Sequence, residues 1–175
     1  VSVGASLDAE GPRAELMRKG TVWKQTVANR KRMMEVCPQV DFYISSTVGL
    51  VNSLHVCDFH KNWVEQGLIN PQDFNFNLLQ HPIWQRMDIL PPEFKQQVKE
   101  KYDEHIKWLN DKDPLTRATK GFESALDWMF KTDNQKHLDL HFAQTRKYDE
   151  MRKENTLDVF PEWKELFDKY EKNKT

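Results

Sequence analysis

"VSVGASLDAEGPRAELMRKGTVW", residues 1–23, carries the decision about the fold in its first few positions. Val1 to Leu7 begins with β-branched and small apolar residues and breaks at Asp8-Ala9-Glu10-Gly11-Pro12, a cluster that disfavours regular structure. The pattern predicts a strand and then a loop. Gly20-Thr21 supplies a stop and a cap, after which Trp23, Val27 and Met34 recur near helical spacing among Lys24, Arg30, Lys31 and Glu35. This helix is expected to close at Cys37-Pro38. Val40, Phe42 and Ile44 then alternate with Asp41, Tyr43 and Ser45, which predicts a second strand running into the loop Ser46-Thr47-Val48-Gly49. Asp58 is read as the cap of a short helix bearing Phe59 and Trp63 and closed by Gly67. Phe74, Phe76 and Leu78 alternate once more.

Strand, helix, strand, helix, strand with connections of this length is the signature of βαβ crossovers, which require parallel strands. Three such strands leave two edges open, and a buried parallel strand at the first residue needs a neighbour on its far side. The chain is therefore expected to be a piece of something larger. After Pro91-Pro92 the pattern turns helical. Phe94, Val98, Tyr102 and Leu109 mark one face, and Asp113-Pro114 caps a helix carrying Leu115, Ala118, Phe122, Leu126 and Met129. A further helix is expected over 134–152, and a short one after Phe160-Pro161-Glu162 carries Trp163 and Phe167 before the charged tail from Glu171 to Lys174. The expected fold class is α/β, with residues 1–90 holding the parallel strands and 91–175 a helical extension packed on them.

Composition narrows the function classes. With 26 basic and 27 acidic side chains the formal charge is −1, which gives no electrostatic footprint for nucleic acid or an anionic membrane. Mean hydropathy is −0.80, and no run approaches the roughly 18 apolar residues of a membrane span. No basic, apolar, small-residue leader opens the chain, and a cytoplasmic location is expected. Cys37 and Cys57 lie far apart with no CxxC or CxxxCxxC spacing, so they cannot by themselves hold a cluster or a structural zinc.

Ligands of parallel α/β folds gather at the carboxyl ends of strands. Ser6 and Asp8 end the first strand, and Ser45, Ser46, Thr47 and Asn52 end or follow the second. Hydroxyls, a carboxylate and an amide on one rim suit a sugar or an amino acid, and Arg18 can grip a carboxylate with its planar fork. The plainer reading is that Ser6 and Asp8 cap a turn and Arg18 covers apolar surface. "HLDLH", residues 137–141, places His137 and His141 on one helix face, read here as a solvated polar face rather than half of a zinc site. "HVCDFH", residues 55–60, gathers His55, Cys57, Asp58 and His60, but Asp58 is better explained as a cap than as a metal ligand.

Resemblance adds to this reading. "SLDAEGPRAELMRKGTVWKQTVANRKRM" (6–33) resembles the fourth strand, loop and helix of a radical S-adenosylmethionine barrel. "VDFYISSTVGLVNSLHVCDFHKNWVEQGLI" (40–69) is similar to the fifth strand and its loop in the SPASM and twitch-related enzymes of that family. "FNFNLLQHPIWQRMDILPPEFK" (74–95) and "LDVFPEW" (157–163) resemble the C-terminal halves of twitch domain-containing radical SAM proteins. The resemblance implies a partial parallel (β/α) barrel followed by C-terminal helices. It implies that Ser6 contacts the ribose hydroxyls of S-adenosylmethionine, that Asp8 supports the loop and that Arg18 holds the methionine carboxylate. Thr47 to Asn52 would pass near the cofactor, with Asn52 a polar contact, and Leu78 and Leu79 would flank the adenine.

The family's CxxxCxxC, which binds the [4Fe–4S] cluster that cleaves the cofactor, has no counterpart in this chain, nor has its glycine-rich motif. The expectation is the C-terminal part of an enzyme whose cluster ligands lie upstream, inactive alone, with an electron donor and a peptide or small-molecule substrate as partners. The alternative is a non-catalytic α/β module that binds a partner protein or peptide.

Overall fold

The structure is a computed structural model and describes residues 1–171. Three strands, β1 (Ser2–Ala5), β2 (Asp41–Val48) and β3 (Phe74–Leu78), form one parallel sheet in the order β1-β2-β3. Ser2 pairs with Asp41 and Ala5 with Ile44; Ile44 pairs in turn with Phe74 and Val48 with Leu78. The expected α/β character and parallel strands are present, and β2 alternates as its sequence predicts. Phe42, Ile44, Ser46 and Val48 are buried while Asp41, Tyr43, Ser45 and Thr47 turn the other way.

The two faces of this sheet differ in kind. The apolar face meets α3 (Val56–Glu65), α4 (Pro92–Leu109) and α5 (Arg117–Lys131). His60 of α3 stacks on Phe74 at 4.3 Å, and Phe122 of α5 packs edge-on to Phe76 at 5.0 Å and to Tyr102 of α4 at 5.1 Å. Such ring pairs contribute beyond their buried area. The opposite face carries Ser2, Gly4, Tyr43, Ser45, Asn75 and Asn77 and is polar: Asn77 Nδ2 donates to Ser45 Oγ at 3.0 Å, and Ser2 Oγ donates to Asp41 at 3.0 Å. Gly4 has no side chain because Tyr43 lies across it; a Cβ there would come within 2.7 Å of the phenol ring.

Two helices precede β2. Asp8 to Pro12 is not simply a break: α1 (Gly11–Met17) starts inside it, with Pro12 in the first turn, where a missing N–H costs nothing. α2 (Trp23–Val36) follows, ending at Cys37 as expected. Trp23 and Val27 pack against the core as their spacing predicts, but Met34 is exposed and Met33 packs inward in its place. Arg30 is not a solvated charge: its guanidinium lies 4.0 Å over Phe42, and Nε donates to the Leu68 carbonyl at 2.8 Å.

Beyond α5 come α6 (Leu138–Arg152), α7 (Thr156–Val159) and α8 (Lys164–Tyr170). These fold back across the strand ends. Trp163 Nε1 donates to the Val51 carbonyl at 2.7 Å, and Arg13 grips Glu162 with both Nη atoms at 2.6 and 3.1 Å. The buried apolar cluster runs without a break from Phe42 to Phe167. The N-cap of α5 is Thr116 rather than Asp113, and Pro114 and Leu115 precede the helix; the Asp113 carboxylate still satisfies the open amides of the first turn, accepting from Arg117 N at 3.1 Å and Thr119 N at 2.9 Å. Of the charged tail, all but Glu171 lies outside the described residues. No helix among the described residues is long and apolar enough to cross a membrane.

Candidate functional site

The β1 strand ends in a tight turn at Ser6, where the Leu7 amide donates back to the Ala5 carbonyl at 3.0 Å. Two residues on, Asp8 is 7 % exposed and holds three elements together. Its Oδ1 accepts from the Thr47 amide at 2.8 Å, at the end of β2, and its Oδ2 accepts from Arg18 Nε at 2.7 Å, just past α1. A carboxylate between a backbone N–H and a guanidinium makes charge-assisted bonds, roughly twice as strong as neutral ones.

Asn52 completes this knot from the loop after β2. Its side chain is fully buried, donating from Nδ2 to the Asp8 carbonyl at 2.8 Å and the Thr47 carbonyl at 3.0 Å, while Oδ1 accepts from Gly49 N at 2.9 Å. Both amide hydrogens are thus used within the protein. Gly49 is fixed by close approach of the next segment: a Cβ there would lie 2.5 Å from the Gln85 carbonyl oxygen, and the adjacent Leu50 amide donates to that same oxygen at 2.7 Å.

The structure therefore brings Asp8, Arg18, Thr47 and Asn52 into one network. Ser6 stands apart, exposed on its turn. Arg18 keeps 43 % of its side chain exposed while Asp8 holds its Nε. Asp8 and Asn52 are braces, and the solvent side of the rim is left to Ser6, Arg18 and Thr47. Leu79 lies at the end of β3, its amide donating to the Val48 carbonyl at 3.0 Å, whereas Leu78 packs against the core.

Above the network lies a cavity of about 320 Å³, floored by Asp8, Thr47, Asn52 and Leu79 and roofed by one face of α6. This is the lower end of the size range of small-molecule sites. His141, Thr145 and Asp149 recur every four residues on that roof, with Tyr148 and Trp84 packed beside them. His141 is 1 % exposed, which corrects its reading as part of a solvated face. Its Nδ1 lies 3.0 Å from the Trp84 carbonyl. A carbonyl only accepts, so Nδ1 carries the proton and Nε2 presents a lone pair. Burial pulls the ring's pKa down to about 4, partly offset by that carbonyl, so it is neutral near pH 7. The signal for this wall was present in the four-residue recurrence on α6, hidden by the charged residues between.

The remaining candidates resolve into packing. Asp58 is not the cap of α3: the helix starts at Val56 and Asp58 sits in its first turn, paired with Lys101 at 2.5 Å. Cys57 is buried, which pushes its thiol up, and Cys37 is likewise a free thiol. His60 is bonded to His105 at 2.9 Å and to the Pro71 carbonyl at 3.0 Å. No group of three or more His, Cys, Asp or Glu side chains suited to a metal exists among the described residues. An iron–sulfur cluster, which takes close thiolates, does not fit them.

Fold and site together define an α/β protein with a small polar cavity at the carboxyl ends of a parallel sheet. In comparisons with known proteins, no family model, no curated protein and no solved structure matches this chain.

Proposed function

We propose that the chain is the C-terminal part of a radical SAM enzyme and supplies the carboxylate-gripping side of its S-adenosylmethionine site. The reading rests on the sequence resemblance, and the observation that carries it furthest is the Asp8 network joining the rims of β1 and β2. Arg18, held at Nε by Asp8, grips the methionine carboxylate with its outer nitrogens. Ser6, on its exposed turn, meets the ribose hydroxyls, and Thr47 lines the same approach. Asn52 positions the loop rather than touching the cofactor, since its amide is engaged within the protein. S-adenosylmethionine held there would, on one-electron reduction by a [4Fe–4S] cluster, release methionine and supply a 5′-deoxyadenosyl radical for hydrogen abstraction. The cluster ligands belong to a part of the protein other than these residues, so this chain is expected to be inactive alone and to need that part, an electron donor and a substrate.

The test is S-adenosylmethionine titration of the protein bearing its cluster motif, comparing wild type with Arg18→Ala and Ser6→Ala. Loss of a charge-assisted grip is expected to weaken binding about tenfold or more in Arg18→Ala, with a smaller effect in Ser6→Ala. Unchanged affinity in both removes the assignment. A second reading, a non-catalytic module that binds a peptide, draws on the polar sheet face and the outer edges of β1 and β3, where an extended segment could add as a strand. It predicts no cofactor binding at all.

A further inference from the structure

With 7 residues, α1 is too short to hold its place by its own hydrogen bonds, and of its side chains Ala14 is the one it buries. Yet this helix sets Arg18, whose amide closes the last turn on the Ala14 carbonyl at 2.9 Å. The fastening comes from outside, at both ends, from one short stretch of the C-terminal layer. Near the start of α1, Arg13 is gripped by both oxygens of Glu162, and its guanidinium lies 5.0 Å over the buried Phe160 ring. Just past the end, Lys19 pairs with Glu154.

That stretch, residues 154–163, is itself bonded in place. Asp149, near the end of α6, accepts from Thr156 Oγ1 at 2.7 Å and from the Thr156 amide at 3.0 Å, and the Glu154 amide donates to the Asp149 carbonyl at 2.9 Å. The turn carrying Glu154 is therefore tied to the helix before it. Phe160 and Trp163 are buried on either side of Glu162, and Trp163 Nε1 reaches the Val51 carbonyl, next to Asn52 in the loop after β2. One segment thus touches both rims of the candidate site, the Arg18 side through α1 and the Asn52 side through Val51. The Arg13–Glu162 pair is bidentate, with only 24 and 22 % of its side chains exposed, which sets it apart from solvated surface pairs that fix little.

We propose that residues 154–163 form a strap that positions Arg18 in the candidate site, with Glu154 and Glu162 as positioning residues that act through Lys19 and Arg13. Asp8 holds the guanidinium, and the strap holds the backbone from which that guanidinium projects. The placement of Arg18 does not rest on the cofactor proposal. Its consequence, a tighter grip on the methionine carboxylate, does rest on that reading.

The isotope-labelled full chain is compared with the double variant Glu154→Gln/Glu162→Gln while the Arg18 Nε–H signal is followed, since that proton is the one donated to Asp8. Loosening both ends of α1 is expected to speed its exchange with water about fivefold or more. Glu93→Gln is the control: it breaks the pairing with Lys169 and Tyr170 that joins α4 to α8 rather than to α1, and it is expected to leave the signal unchanged. Unchanged exchange in the folded double variant, or an equal change in Glu93→Gln, overturns the inference. If the double variant is unfolded, the two single variants are read by the same criteria. In the protein bearing its cluster motif, the double variant is expected to lose about threefold or more in S-adenosylmethionine affinity. Arg18→Ala separates the two proposals. Weakened binding there with none in the double variant removes the strap's role, whereas unchanged binding in Arg18→Ala removes the cofactor reading and leaves the exchange measurement to decide the strap.

Discussion

Asn52 shows how much structure a single short side chain can organise. Its amide closes three bonds, to Gly49 N, the Asp8 carbonyl and the Thr47 carbonyl, in a site without solvent. Asn52→Ala would strand all three backbone groups at once. With each costing about 1–3 kcal/mol and some relaxation, a loss of about 3 kcal/mol in urea unfolding is expected. A loss below about 1 kcal/mol would mean that water replaces the amide and that the loop is not braced as described. The candidate site was partly legible at this scale. Residue types at the strand ends brought Asp8, Arg18, Thr47 and Asn52 forward, and all four meet. Sequence could not distinguish a brace from a contact, because that depends on which amide hydrogens are already spent.

Elements meet here through buried polar clamps as well as rings. Asp88, in the segment between β3 and α4, is fully buried. It accepts from Arg86 at 3.1 and 2.7 Å, from Thr132 Oγ1 at 2.7 Å and from Asn134 Nδ2 at 2.7 Å. Burial alone would raise its pKa, but these donors outweigh it and hold the carboxyl below its ordinary value. The clamp ties the entry to α4 to the end of α5 and the approach to α6. Asp88→Ala leaves a guanidinium, a hydroxyl and an amide facing an apolar residue, and chemical unfolding should report a loss of about 3–5 kcal/mol. Asp88→Asn, which can still accept, should lose less. Nothing in the local pattern around Asp88 announced this role, since its partners Thr132 and Asn134 are remote in sequence. By contrast the strands, α3, α4 and α5 were legible, because alternation and three-to-four spacing report directly on which face is buried. α1 was missed because a glycine-proline pair reads equally as a loop or as a helix start.

For the molecule as a whole, four buried histidines oppose folding in mild acid. His55 and His141 have pKa values lowered to about 4, in both cases chiefly by burial, and burial also lowers those of the bonded pair His60 and His105. These rings are neutral when folded, whereas in the unfolded chain each titrates near 6.5. Below pH 6.5 the unfolded state takes up protons that the native state refuses, so stability is full above that value and falls steadily toward pH 4. The urea midpoint at constant ionic strength should therefore be clearly lower at pH 5 than at pH 7. An equal midpoint would show that the rings are wetter than their packing indicates. This behaviour was not readable from six scattered histidines, because only the fold decides which of them lose water.

The polar face of the sheet has a consequence of its own. A parallel sheet ordinarily has its faces dry and covered, yet here one face is armoured by three helices and the other presents asparagines, serines and a tyrosine. Ser2, Asn75 and Asn77 on that face stand exposed, so its side chains are solvated rather than packed under a second layer.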